Sequence, residues 1–229
     1  MIQMKRYAVY YAPPPGPFAD HASAWLGWDA ALGQAVPHPV VPGLPIPVDA
    51  LTVEPRKYGF HGTLRAPFRL ADGAGEAALD QTLRHLAQAL CRVELDGLKL
   101  QDLHGFLALT PDGDVSALAA LAQHIVEATD TLRAPLTQDE IARRRPETLT
   151  SRQRAYLDRW GYPFVKEFFQ FHLTLTGRLS RSDADTVFPV VRDHFSGVLP
   201  QPFAIEDVCL FGEDMQGRFH LMHRYALSR

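Results

Sequence analysis

Long stretches with a helical apolar period alternate with short apolar runs along the chain. Leucines at helical spacing predict a helix over 76–93, and a second apolar stripe predicts one over 115–132. Other helices are predicted over 18–32 (ending at Gly33), over 182–195, and after capping boxes beginning at Thr137 and Thr150. Strands are predicted over 7–12, 59–70, 93–100, 105–110, 168–176, 201–211 and 218–227, and five prolines predict a loop over 37–47. This alternation predicts an α+β fold with mainly antiparallel sheets.

Composition narrows the classes of protein that the chain can represent. Of the 229 residues, 46% are hydrophobic and the formal net charge is −3, which excludes disorder as the dominant state. A pI near 6.3 argues against a protein that coats nucleic acid but allows a small phosphorylated ligand held by local cations. Cys91 and Cys209 do not form a disulfide framework, and we expect two reduced thiols.

The first residues lack the apolar core and small-residue cleavage site of a signal peptide. No stretch reaches the roughly 18 apolar residues that span a bilayer. We therefore expect a soluble, cytoplasmic protein without a membrane partner.

One short motif occurs twice, once in each half of the chain. Residues 60–64 read FHGTL and residues 171–175 read FHLTL. Side chains alternate between the two faces of a strand, so His61 and Thr63 point one way and their flanking residues the other. His172 and Thr174 follow the same rule. If a pseudo-two-fold axis relates the halves, both His–Thr pairs face one cleft.

Two imidazoles and two hydroxyls in one cleft suit phosphodiester chemistry. In-line displacement at phosphorus needs a base on the entering side and an acid on the leaving side, and imidazole serves either role near neutrality. Threonine hydroxyls can bind the non-bridging oxygens. A single H-x-T is a weak signal, since most histidines are structural, but two copies with matching flanks in predicted strands favour function.

The paired H-x-T motifs, HGTL at 61–64 and HLTL at 172–175, resemble the signature of the 2H phosphoesterase superfamily. Three further stretches are similar to a bacterial branch of it associated with phosphonate-utilisation operons: RYAVYYAP at 6–13, YGFHGTL at 58–64, and WGYP at 160–163 leading into 171–172. The likeness covers nearly the whole chain.

This resemblance implies one bilobal domain over 1–229, with two pseudo-symmetric α+β lobes around a water-filled central cleft between their sheets. It implies that His61 and His172 act as acid and base and that Thr63 and Thr174 bind phosphate. No metal and no cofactor are expected. The symmetric motifs do not tell which histidine is the acid.

Several residues near the motifs are candidate substrate contacts. Arg65 has the strand parity of His61, Arg178 has that of His172, and Tyr7 and Tyr58 can stack on a base or bind phosphate. For each, a surface or core role is an equal or better explanation. The arginines over 143–159 are interpreted as a solvated helix face, with one of them a candidate to reach the cleft.

The predicted function is metal-independent hydrolysis of a small, cyclic phosphodiester, in a phosphonate setting that the resemblance alone suggests. Two alternatives stay open: an RNA 2′,3′-cyclic phosphodiesterase or 2′-5′ RNA ligase-like enzyme, against which the acidic pI argues, and a non-catalytic module that binds a phosphorylated metabolite. No Walker-type or dinucleotide-binding glycine motif is present. The oligomeric state is left open.

Overall fold

The computed structural model describes residues 3–229 and shows a mixed α+β fold, as predicted. The strands are β1 Arg6–Tyr11, β2 Trp28–Asp29, β3 Gln34–Ala35, β4 Gly62–Phe68, β5 Val93–Leu95, β6 Gly97–Asp102, β7 Leu107–Asp112, β8 Leu173–Thr174, β9 Phe203–Ile205, β10 Asp207–Glu213 and β11 Phe219–Ala226. The helices are α1 Pro17–Leu26, α2 Val48–Leu51, α3 Val53–Arg56, α4 Glu76–Ala89, α5 Ser116–Thr129, α6 Gln138–Arg143, α7 Ser151–Trp160 and α8 Arg181–Phe195.

Seven of the strands form one sheet in the order β11-β10-β1-β4-β8-β7-β6, and each neighbouring pair is antiparallel. The resemblance implies a sheet for each lobe, whereas here the strands of both halves join at β4 and β8. That junction is narrow, because β8 contains only two residues. It lies in the middle of the sheet, where both H-x-T motifs are found. One bilobal domain stays a prediction.

One face of the sheet packs against the long helices. Apolar side chains of α4, α5 and α8, such as Leu83, Leu118 and Val187, share one core with the strands. Each such side chain contributes roughly 1.5–3 kcal/mol through burial. On the other face, Trp28 packs with Tyr10 in a second, smaller core. The polar side chains of the two H-x-T motifs therefore lie in the middle of the sheet face opposite the long helices.

Two predicted boundaries are wrong. Helix α1 ends at Gly27 rather than at Gly33, because Gly27 adopts a left-handed φ of 75° and its N–H bonds the Ser23 carbonyl at 2.8 Å. The strand predicted over 168–176 is reduced to Leu173–Thr174, since a 3₁₀ turn at Lys166–Phe168 precedes it and Lys166 itself has a φ of 55°. Helices α2 and α3 were not predicted.

The expected capping boxes and reduced thiols are confirmed. Thr137 and Thr150 each form a reciprocal capping box, with Glu140 and Gln153 respectively. Both cysteines are free thiols. Among residues 3–229, no helix combines the length and hydropathy that a bilayer crossing requires.

Candidate active site

The register between β4 and β8 brings the two motifs together. Gly62 lies directly opposite Leu173. Continuing the antiparallel register by one residue places His61 opposite Thr174 and Thr63 opposite His172. The two motifs are thus related by a local two-fold axis through the Gly62–Leu173 pair. The histidines are diagonal neighbours, and such residues have Cα atoms about 7–8 Å apart.

Burial alternates along both motifs, as strand geometry requires. The motif side chains His61, Thr63, His172 and Thr174 are half-buried. The side chains between and beside them are buried in the core, namely those of Phe60, Leu64, Phe171, Leu173 and Leu175. The apolar sides of the motifs therefore fix the strands, while the polar sides share one face of the sheet.

Both imidazoles are oriented by the same backbone contact. Nδ1 of His61 lies 2.9 Å from the carbonyl oxygen of Gly59, and Nδ1 of His172 lies 2.8 Å from that of Gln170. A carbonyl only accepts, so each Nδ1 carries the proton and donates it. In the neutral ring this leaves the lone pair on Nε2. Each histidine then has one nitrogen ready to accept or, once protonated, to donate a proton.

The two histidines differ in their surroundings. The pKa of His61 is lowered to about 4, chiefly by burial and also by the nearby His172, while the bond to Gly59 opposes the shift. The Tyr10 ring packs on His61 with centroids 4.0 Å apart, and Tyr58 lies at 5.6 Å. Burial also lowers the pKa of His172, whose nearby ring is Phe106 at 5.7 Å. His61 is thus the more strongly held in the neutral, proton-accepting form.

Two cavities open on these groups. One of about 290 Å³ contains Thr63 and His172 in its wall, and one of about 410 Å³ contains His61 and Thr174. Each histidine therefore shares a cavity with the threonine of the other motif, as the cross-strand pairing demands. Cavities of this size accept a small organic ligand.

Of the other candidate substrate contacts, three line one of the two cavities and one does not. Tyr58 and Arg178 line the cavity of His61, and Arg65 lines the cavity of His172. Tyr7 is wrong as a substrate contact, because it lies in the helix-packed core with 8% of its surface exposed. Its hydroxyl donates to Glu76 at 3.0 Å.

Sequence reasoning missed one aromatic ring of the site. Tyr10, opposite Thr63 on β1, is the ring that packs on His61, and only the β1–β4 register identifies it. Tyr162 lines the cavity of His172, and the Arg144 guanidinium lies 4.9 Å from its ring centroid. The arginine-rich segment thus reaches the cavity wall through a cation–π contact.

The fold and these residues define an α+β protein in which two His–Thr pairs meet on one sheet face. The chain belongs to the family described as "Protein of unknown function (DUF1045)", which matches residues 63–220. The match includes Thr63 and the whole second motif, and it begins two residues after His61.

Two bacterial proteins match nearly the whole chain. The "Ribose 1,5-bisphosphate phosphokinase PhnN" of Janthinobacterium sp. (strain Marseille) is 41% identical over 220 residues, covering 93% of this chain and 49% of that protein. The protein of the same name from Laribacter hongkongensis (strain HLHK9) is 41% identical over 214 residues, with the same coverage. The chain therefore spans about half the length of these relatives.

Solved structures give more distant matches. E. coli LigT complexed with 3′-AMP aligns with a TM-score of 0.49 at 15% identity, over 99% of this chain and 100% of that one. A "Crystal structure of phosphoesterase" aligns with a TM-score of 0.47 at 16% identity, over the same shares.

Proposed function

We propose that the protein hydrolyses a small cyclic phosphodiester by general acid–base catalysis, with His61 and His172 on opposite sides of the phosphate. The observation that supports this most is the cross-strand arrangement of the two His–Thr pairs about one local two-fold axis. It places two imidazoles and two hydroxyls on one face of the sheet, and in the proposal a phosphate bound between the two cavities contacts all four.

In the proposed reaction, Nε2 of His61 accepts a proton from water as the water oxygen attacks phosphorus. The bond from phosphorus to one ring oxygen breaks, and that oxygen takes the proton of Nε2 of His172. The product is a phosphomonoester. We assign the base to His61 because its ring is the more strongly held neutral. An anionic phosphate beside His172 favours the protonated form of that ring.

The threonines complete the proposed site. Thr63 and Thr174 are half-buried beside the histidine of the other motif, and their hydroxyls can donate to the two non-bridging oxygens. Phosphoryl transfer depends mainly on such positioning and charge stabilisation, so the proposal includes no metal and no covalent intermediate.

For the substrate we propose a cyclic phosphate of a phosphorylated ribose, in phosphonate metabolism as the resemblance suggests. The curated relatives, twice as long, are named for a kinase that acts on ribose 1,5-bisphosphate. If water breaks the bond between phosphorus and O2 in the 1,2-cyclic phosphate of ribose 5-phosphate, the product is that bisphosphate. In the longer relatives, the half that resembles this chain would then make ribose 1,5-bisphosphate, and the other half would phosphorylate it.

The test is ³¹P NMR of cyclic phosphodiesters incubated with the protein. We expect turnover of a ribose 1,2-cyclic phosphate in the presence of chelator, and losses of ~10²-fold or more for His61→Ala and for His172→Ala. His85→Ala, an exposed histidine on α4, is the matched control and should keep full activity.

Three results would contradict parts of the proposal. No turnover of any cyclic phosphate of ribose or nucleotides would refute the hydrolase. Activity that is lost with chelator and restored by zinc would refute the metal-free mechanism. Tight product binding without turnover would favour the binding module instead.

A further inference from the structure

Arg65 is the most deeply buried charged side chain near the proposed site. It lies on β4 two residues after Thr63, and its residue surface is only 2% exposed. It belongs to the wall of the 290 Å³ cavity that also contains Thr63 and His172. Its Nη1 donates to the carbonyl of Trp160 at 3.0 Å, which fixes the guanidinium in place.

The remaining edge of this guanidinium is not used within residues 3–229. Nε and Nη2 of Arg65 have no hydrogen-bond partner among those residues. These two nitrogens form the fork that binds both oxygens of a carboxylate or phosphate. In Arg69, which directly follows β4, the same fork binds Glu140 at 3.2 and 3.1 Å, and in Arg6 it binds Glu213.

The surrounding charges leave Arg65 under-compensated. Its Nη2 lies 3.7 Å from Asp130, too far for a hydrogen bond. Asp130 already accepts from Arg133 at 3.1 Å and from Arg159 at 2.6 Å. One carboxylate therefore faces three guanidinium groups. Burial and the nearby Arg133 lower the pKa of Arg65 to about 10, as expected of a cation short of counter-charge.

We propose that Arg65 binds a second anionic group of the substrate, separate from the phosphate held by the His–Thr pairs. The position fits a small molecule, because two residues along a strand advance roughly 6–7 Å. This inference rests on the proposed function and narrows it: the substrate is a cyclic phosphodiester that carries a further phosphate or carboxylate on the same small scaffold. The 5-phosphate of a ribose derivative is such a group.

The experiment compares ribose 1,2-cyclic phosphate with and without a 5-phosphate, as the ratio of their kcat/KM values. We expect the wild type to prefer the 5-phosphorylated probe by ~10²-fold, the range for a buried charged hydrogen-bonded pair. Arg65→Gln should bring the ratio close to one, chiefly through the KM of the phosphorylated probe. Arg65→Lys, which keeps the charge but not the fork, should restore part of it.

Arg69→Gln is the matched control, because it removes a fork that Glu140 already occupies. It should leave the ratio unchanged. A wild type that hydrolyses both probes equally well would overturn the inference while leaving the hydrolase in place, and this arm holds even if Arg65→Gln does not fold.

A binding measurement separates the two proposals. Ribose 5-phosphate should raise the melting temperature of the wild type. It should not raise that of Arg65→Gln, and it should raise that of Arg65→Lys by less than that of the wild type. If neither probe is hydrolysed but this stabilisation depends on Arg65, the proposed function fails and the anion site stands. Equal stabilisation of wild type and variants would overturn the site.

Discussion

Replacing Gly62 by alanine should disturb the junction on which the proposed site is built. A Cβ at this position would lie 2.2, 2.4 and 2.9 Å from three carbons of the Phe171 ring, distances that real contacts do not tolerate. The ring cannot easily move, because it packs against Tyr11 and Phe203 with centroids 6.1 and 6.2 Å away. The second motif has Leu173 where the first has Gly62, so the two motifs are packed unequally.

The cost follows from the overpacking of a closed core. Forcing one extra carbon into such a site destabilises a protein by roughly 1–3 kcal/mol. For a chain of this size, that lowers the melting temperature by roughly 2–12 °C. Because Gly62 lies on the local two-fold axis, any shift of β4 against β8 also misaligns the His–Thr pairs. Activity should therefore fall more than the loss of folded protein explains.

Thermal unfolding and turnover of Gly62→Ala measure both effects. Gly97→Ala, in β6, is the control, since a Cβ there meets only atoms of Pro200 and Gln201, at 3.8 Å. Phe171→Leu should relieve the clash, so a double-mutant cycle should show a favourable coupling of roughly 1 kcal/mol or more. A Gly62→Ala protein with the melting temperature and activity of the wild type would refute this account of the junction.

Two further predictions concern pH. The kcat/KM of the proposed reaction should rise above about pH 4, where His61 loses its proton. It should fall again at a pH below the ordinary pKa of histidine, because burial lowers the pKa of His172 and the ring then loses the proton that it donates; an optimum above pH 8 would contradict the assignment. Burial holds the pKa of His194 at about 4 in the folded chain, and it also lowers the pKa of His21, whose ring centroid lies 4.1 Å from that of His194. The unfolded chain therefore binds more protons between pH 6.5 and 4, and stability should fall across that window by on the order of 1–3 kcal/mol; His194→Leu should flatten the curve in urea titrations, and an unchanged slope would refute this.

The alternation of faces in the two motifs could be predicted because it depends only on local strand geometry. The same rule could not place Tyr7, since the run over 7–11 is buried on both faces and contains no charged residue to mark the cleft side. Tyr10 is the counterpart that faces His61, and that assignment depends on the β1–β4 register, with its irregularities, rather than on composition.

A predicted helix boundary is wrong where two residues carry the same helix-ending signal. Gly27 and Gly33 both have positive φ, and the sequence does not tell which one ends the helix and which one turns a hairpin. The isolation of Arg65 from counter-charge was likewise invisible, because Asp130 is distant in sequence and is shared with Arg133 and Arg159. Tertiary partners decide such cases.

Under the proposed function, the local two-fold axis would give a cyclic phosphate two nearly equivalent poses, rotated by half a turn, in which either ring oxygen faces His172. Each pose opens a different ester bond and yields a different regioisomer. The neighbours of the two histidines lift this degeneracy, because Tyr10 and Tyr58 pack beside His61 while Phe106 packs beside His172. Under the proposed function, regioselectivity therefore depends on residues outside the repeated motifs, these aromatic rings and Arg65 among them, and exchanging them is the way to change which isomer forms.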